Sequence, residues 1–400
     1  MQKFLDIKIH KLDSAASEER FLLEYGDNFF EANTVVVELL ETLKSHKSRH
    51  DAVNAFIKAH GQKYTSEQVN ECIDLVFNPI FEKEAKNAGR GVLYSKQFID
   101  GPEISKLTNR LKCLFKMRYA LPVTVVAVAM DVWFLLTATG MRRFEGGLTV
   151  TILVGLVLFL CASSFFHELG HASACRYMGI KHGGIGFAMY LTFPIFFTDV
   201  TNAWCLTRKK RMAVNLGGIY FQLYILITLI AVYHFTHSDF VRYLILAMNL
   251  GFVLVLNPFF RFDGYWIATD LLGVPNLRQQ SMSTLRYALA RLMGRKTSEK
   301  PYLLLMRGRE KWIFVIYSVV VNLFMGYFFF YVIPLFIYRF CSTFPLEAEK
   351  LLTYLSSGVT PPFAIMHNIF GQLLFLAMIG YMLYGLSRPY INRIRRNPNK

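Results

Sequence analysis

The sequence predicts an α-helical polytopic membrane protein of about six transmembrane helices, with a re-entrant β-prone loop and a small N-terminal α+β domain of winged-helix-like type. Three observations predict it. Of the 400 residues, 54% are hydrophobic and 15% aromatic, and the mean hydropathy is +0.32, more than the core of an ordinary soluble domain uses. Long apolar runs begin only near Tyr119, after a stretch of mixed character. The formal charge of +16 comes largely from Lys and Arg placed beside those runs, the arrangement of a chain that sits against anionic lipid.

The N-terminal domain, residues 1–100, opens with "EERFLLEYGDNFFEAN", which alternates and turns at Gly26-Asp27-Asn28, so a short hairpin is expected. Three helices should follow. They are "NTVVVELLETLKSH", "SRHDAVNAFIKAHG", which ends on a glycine, and "TSEQVNECIDLVFNPIF", which opens on a Thr or Ser cap with Glu67 or Gln68 in place for a capping box. Residues 101–118, beginning Gly101-Pro102, are the expected linker.

The membrane domain is expected over 119–390, with spans near 119–140, 147–167, 212–234, 240–262, 312–337 and 363–385, each about 20 residues long. Lys112, Lys116 and Arg118, then Arg208 to Arg211, then the basic run from Arg286 to Lys311, and lastly the basic tail 391–400 with Arg393, Arg395 and Arg396, fall on one side under this count. Both termini are therefore expected in the cytoplasm. Arg142, Arg143, Arg242 and Lys350 belong to the outer loops. "GGIGFAMYLTFPIFFTDV", residues 183–200, is apolar but broken by glycines and Pro194. Its uncharged part is too short for a spanning helix, so it is expected to re-enter and line a cavity.

Composition excludes other classes. The six cysteines form no C-x-x-C pair, so neither a disulfide framework nor a cysteine zinc site is expected. No basic reading helix or aromatic RNA-binding motif accompanies the charge, so nucleic acid is not expected as a partner. No secretory or lipidation signal is expected ahead of the first span. Asp131 in "AVAMDVWFLL" is expected to hydrogen-bond to another span.

Chemistry enters with "FFHELGHAS". Positions four apart share a helix face, so His167 and His171 can turn imidazole nitrogens to one Zn²⁺ ion while Glu168 reaches its water. Ionisable groups inside a span are costly and mark function. A catalytic zinc needs a third protein ligand, and "LVLNPFFRFDGYW" ends the fourth span on Asp263-Gly264. His167 lies about 20 residues beyond Gly147 and Asp263 about 23 beyond Phe240 on parallel spans, so at 1.5 Å per residue both reach one depth.

Together "HELGH" and "NPFFRFDG" resemble the site-2 protease family of intramembrane zinc metalloproteases, over roughly residues 145–275. The resemblance implies His167, His171 and Asp263 as ligands and Glu168 as general base. "RMAVNLGGIYFQL" is similar to the family's Gly-Pro-x-x-Asn span, with Ile219 and Gln222 at the Pro and Asn positions. By that likeness Gly218, Gln222 and Asn257 are expected at the substrate. The 183–200 loop would hold an unwound substrate by strand addition.

The N-terminal module is similar to PqqD-like domains, which recognise leader peptides of ribosomally made, modified peptides. The resemblances imply a multi-pass protease of a bacterial cytoplasmic membrane, acting on a peptide or single-span protein in maturation, export or regulation of such a peptide. Cleavage of a membrane-anchored regulator or signal-peptide remnant, and a non-catalytic peptide-binding or transporter role, stay open. So does a merely regulatory or oligomerising front domain.

Overall fold

A computed structural model of the chain describes residues 2–26, 28–83, 92–137, 150–190, 193–295, 301–306 and 308–396. The expected turn residue Asp27, the outer-loop residues Arg142 and Arg143, the loop residues Lys296 and Arg307, the joint between the first two spans and the last four residues of the basic tail lie outside these. Most described residues are helical.

The N-terminal part is a three-stranded antiparallel sheet in the order β1 (Lys8–Leu12), β2 (Arg20–Tyr25), β3 (Asn28–Asn33), followed by α1 (Thr34–Ser45), α2 (Arg49–Ala59) and α3 (Ser66–Lys83). The expected hairpin is β2–β3, with Gly26 at φ 56° where a side chain would be strained. Asn33 caps α1 by accepting from Val36 N at 2.9 Å. The capping box of α3 is Thr65 with Gln68: Thr65 N donates to Gln68 Oε1 at 3.0 Å, and Gln68 N donates to Thr65 Oγ1 at 3.3 Å. Leu23, Leu40, Phe56, Ile73 and Phe77 close a separate core.

Beyond it come β4 (Val92–Ile99), α4 (Gly101–Leu111), α5 (Met117–Thr137), α6 (Val150–Tyr177), β5 (Ile185–Tyr190) and β6 (Phe193–Thr198). The β-prone stretch 183–200 is thus the β5–β6 hairpin, and β4 joins it in the order β4-β5-β6. The expected linker is for the most part α4, which packs on α6. Thr108 and His182 are hydrogen-bonded at 2.9 Å, and Arg176 Nη2 donates to Ser105 Oγ.

The remaining helices are α7 (Arg208–Asn215), α8 (Gly217–Thr236), α9 (Asp239–Val255), α10 (Asp263–Leu272), α11 (Leu277–Leu292), α12 (Arg309–Tyr327), α13 (Ile333–Ser356) and α14 (Phe363–Arg396). Five stretches among the described residues are long and apolar enough to cross a membrane: Met117–Thr137, Val154–Tyr177, Arg208–Thr236, Arg309–Ser356 and Ala364–Tyr381. The chain is a multi-pass membrane protein by this measure.

The expected span 240–262 is shorter than the sequence suggests. Helix α9 has 17 residues and stops at Val255. Pro258 lacks an N–H and disfavours helical backbone at Asn257. Asn257 Oδ1 then accepts from Phe259 N at 2.8 Å, closing a turn. Asp131, expected to bond to another span, accepts from Asn249 Nδ2 of α9 at 2.8 Å. Two compact units divide the chain: Met1–Ala88 with Gln97–Gly186 and Phe196–Val315, and Gly89–Lys96 with Phe187–Ile195 and Ile316–Lys400. Within the second, α13 and α14 pair through Phe336 and Phe375, rings 4.2 Å apart, and Gln372 Nε2 donates to Glu347 Oε2 at 3.0 Å.

Candidate metal centre

Helix α6 carries His167, Glu168 and His171 on one face, one turn apart. It packs against α8 through glycines. A Cβ on Gly170 would lie 2.2 Å from the Gly217 carbonyl oxygen, and one on Gly218 would lie 2.4 to 2.6 Å from the imidazole of His167. Only glycines allow this approach, as is usual where helix backbones meet in a membrane.

Each imidazole is oriented by its Nδ1. His171 Nδ1 donates to the Val214 carbonyl at 2.8 Å, and His167 Nδ1 donates to Gln222 Oε1 at 3.0 Å. The amide orientation follows from Ser163, whose Oγ accepts from Gln222 Nε2 at 2.8 Å. Gln222 therefore holds His167, and Gly218 makes room for it. With Nδ1 so engaged, both rings turn Nε2 towards one point. Such carbonyl and amide partners are the usual outer supports of metal-binding histidines.

The third group arrives from α10. Asp263 is the first residue of that helix, just past the Asn257-Pro258 turn. A Cβ on Gly264 would lie 2.1 Å from the Leu256 carbonyl oxygen, so the chain can fold back against the end of α9 only with glycine there. Asp263 Oδ2 lies 2.9 Å from His167 Nε2 and 3.1 Å from His171 Nε2. The two Nε2 atoms are 3.0 Å apart. The side chains of the two histidines are 10% and 8% exposed and that of Asp263 20%.

Three nitrogen and oxygen atoms crowded together need a proton or a metal cation between them. Oδ2 of Asp263 is buried without a hydrogen bond of proper geometry despite both short approaches. Nitrogen, nitrogen and carboxylate oxygen are a donor set that zinc takes, with a fourth position left for water. These residues fit Zn²⁺. His167, Glu168 and His171 also bring one ligand atom each within 4.8 Å of one another.

Three supports of the centre carry no sequence signal. The Val214 carbonyl is backbone, and Ser163 is an ordinary small residue of an apolar run. Thr198 at the end of β6 donates its hydroxyl to the Glu168 carbonyl at 3.0 Å. Asp270 on α10 meets Arg211 on α7, both buried. Burial pushes the Asp270 carboxyl up to about 6, against the pull of Arg211. An aspartate in the apolar string "IATDLLGV" was the available signal for it. Asn257, expected at the substrate, spends its side-chain oxygen on its own turn.

No family model matches the chain, and no solved structure matches it. Over 127 residues, 30% of its length, the chain is 25% identical to the protein of Bacillus subtilis (strain 168) named "Putative peptide zinc metalloprotease protein YydH". The chain spans about half the length of that curated relative, 48%.

Proposed function

We propose that the chain is a zinc-dependent intramembrane endopeptidase of site-2 protease type that hydrolyses a peptide bond of a membrane-associated or precursor peptide. The observation that carries this is the convergence of two Nε2 lone pairs and an unbonded carboxylate oxygen beside Glu168. The name of the similar protein from B. subtilis points the same way.

Zn²⁺ held by His167, His171 and Asp263 would polarise the scissile carbonyl and acidify the attacking water. Glu168 takes the proton from that water and passes it to the leaving amine. Gln222 and the Val214 carbonyl keep both imidazoles in the tautomer that leaves Nε2 free. A helical substrate must unwind first, which favours Gly or Pro near the cut. β6 is an end strand of its sheet, and its Thr198 touches α6 at Glu168. A peptide added along β6 is thereby led to the centre. The N-terminal sheet and helices would receive the leader of a ribosomally made peptide, with both termini in the cytoplasm of a bacterium.

The test uses the whole purified chain with a single-span or precursor peptide. Glu168→Gln should abolish cleavage, by at least about a hundredfold, while one zinc equivalent stays bound at this centre. Cleavage unchanged in Glu168→Gln would overturn the reading.

A further inference from the structure

Away from the metal centre, three side chains from distant parts of the chain meet. His10 projects from β1, Glu24 from β2, and Cys205 ends the turn Thr201–Cys205 that leads into α7. His10 Nε2 lies 2.6 Å from Glu24 Oε2, and one ligand atom from each of the three residues lies within 4.8 Å of the others. All three are half-buried. Lys8 pairs with Glu24 across the strands, and His10, two residues on, shares its face of the sheet.

We propose that His10, Glu24 and Cys205 form a second zinc site, its fourth position taken by a solvent water, that fastens the N-terminal sheet to the turn before α7. It stands apart from the protease reading and does not rest on it.

An ion pair accounts for His10 and Glu24 but leaves Cys205 without a role, since a thiol is a weak hydrogen-bond partner. Imidazole, carboxylate and thiolate together are zinc ligands, whereas Mg²⁺ and Ca²⁺ take oxygen. Bond lengths of about 2.0 to 2.3 Å place tetrahedral zinc ligands roughly 3.3 to 3.8 Å apart. The distances found here straddle that range, within reach of side-chain rotation. Charge balances as well: thiolate and carboxylate neutralise a divalent ion. Lys8 Nζ occupies Glu24 Oε1 at 2.9 Å, which leaves Oε2 for the metal.

On binding, the sulfur–zinc bond replaces the sulfur–hydrogen bond and the proton goes to solvent, while His10 coordinates as neutral imidazole. The junction is already held by polar contacts. Asp13 accepts from Arg208 N at 3.0 Å and Arg208 Nε at 3.1 Å, and its carbonyl accepts from Arg211 Nη2 at 3.1 Å. The metal would lock β1 and β2 at the same seam, directly before the helix whose Val214 carbonyl holds His171.

Cobalt separates the two sites. The centre of His167, His171 and Asp263 contains no sulfur, so a thiolate-to-cobalt charge-transfer band in the near ultraviolet reports on Cys205 alone. The full-length Glu168→Gln chain, loaded with Co²⁺ in detergent, should show that band and hold a second metal equivalent. Cys205→Ser and His10→Gln should each lose the band and one equivalent while eluting as the folded chain. His167→Ala with His171→Ala should lose the other equivalent and keep the band. Glu24→Gln, of the same size, should weaken the second site at least about tenfold. A metal-loaded, folded parent with no band, or a Cys205→Ser chain with unchanged band and metal count, overturns the proposal. A band that survives where His167 and His171 bind nothing sinks the protease reading alone.

Discussion

Arg211 Nε lies 2.5 Å from Asp270 Oδ1, and both side chains are buried. Asn215 Nδ2 donates to the other carboxylate oxygen at 3.1 Å, and Arg211 also donates to the carbonyls of Leu206 and Asp13. The pair joins two helices that border the candidate centre. Helix α7 carries the Val214 carbonyl that orients His171, and α10 begins with Asp263. The position of the Asp263 carboxylate against the imidazoles therefore depends on an ion pair two turns away.

Removing one partner leaves the other buried without its counter-charge. Arg211→Met alone should lower the unfolding free energy by about 3 to 5 kcal/mol, and Asp270→Leu alone by a similar amount. The double variant should recover most of the loss, because a buried pair replaced by apolar groups of like volume is nearly neutral. Thermal unfolding in detergent across the four proteins measures this. Strictly additive losses would show that the two side chains do not act as a pair.

Gly218→Ala tests the closest contact at the centre. The added methyl would stand 2.4 to 2.6 Å from the His167 ring, which Gln222 holds in place. The ring must rotate away, and Nε2 leaves the point shared with His171 and Asp263. Zinc affinity measured by chelator competition should fall by at least about a hundredfold. Gly251→Ala, where a Cβ meets nothing within 4 Å, should leave it unchanged.

Gln222 bears on His167 through Nδ1 rather than through the metal-facing nitrogen. Gln222→Leu removes the acceptor and frees the ring to take the other tautomer, so zinc affinity should drop roughly 10- to 100-fold. Gln222→Glu keeps an acceptor at the same reach and should retain more of it. Equal affinities in all three proteins would deny Gln222 this orienting role.

The reach of the sequence can be judged from these residues. His167, Glu168 and His171 are readable because helical spacing alone puts them on one face. Asp263 is readable because it closes the expected fourth span at the depth of the histidines, although the helix itself ends at Val255. Arg211 and Asp270 are not, since their meeting depends on the packing of α7 on α10 across 59 positions. Strand β4 escapes for the same reason: "VLYSKQFI" has no neighbour in sequence and pairs with a hairpin far along the chain. Strand β1, "KIHKL", carries charges that blur its alternation, and only the register with β2 reveals it. The span at α9 is overestimated because hydropathy continues through Pro258 although hydrogen bonding does not.

His182 links stability to pH outside the membrane helices. Its Nδ1 donates to the Gly183 carbonyl at 2.7 Å, and its Nε2 accepts from the Thr108 hydroxyl at 2.9 Å. Burial holds its pKa below the ordinary histidine value, with the Gly183 carbonyl opposing, Arg176 acting in the same sense as burial and Asp199 against it. In the unfolded chain the same imidazole takes a proton near 6.5. Below that pH the unfolded state binds more protons than the native one, so native stability falls as pH falls. The contribution is complete above about 6.5 and declines beneath it, by up to about 1.4 kcal/mol for each unit by which the native pKa is depressed. Unfolding temperatures of the zinc-saturated protein from pH 7.5 to 5.5 should therefore slope downwards. His182→Gln offers an amide oxygen to Thr108 and an amide N–H to Gly183 without a titrating proton, so its curve should be flatter than the parent's. Parallel curves would assign the acid sensitivity to another group.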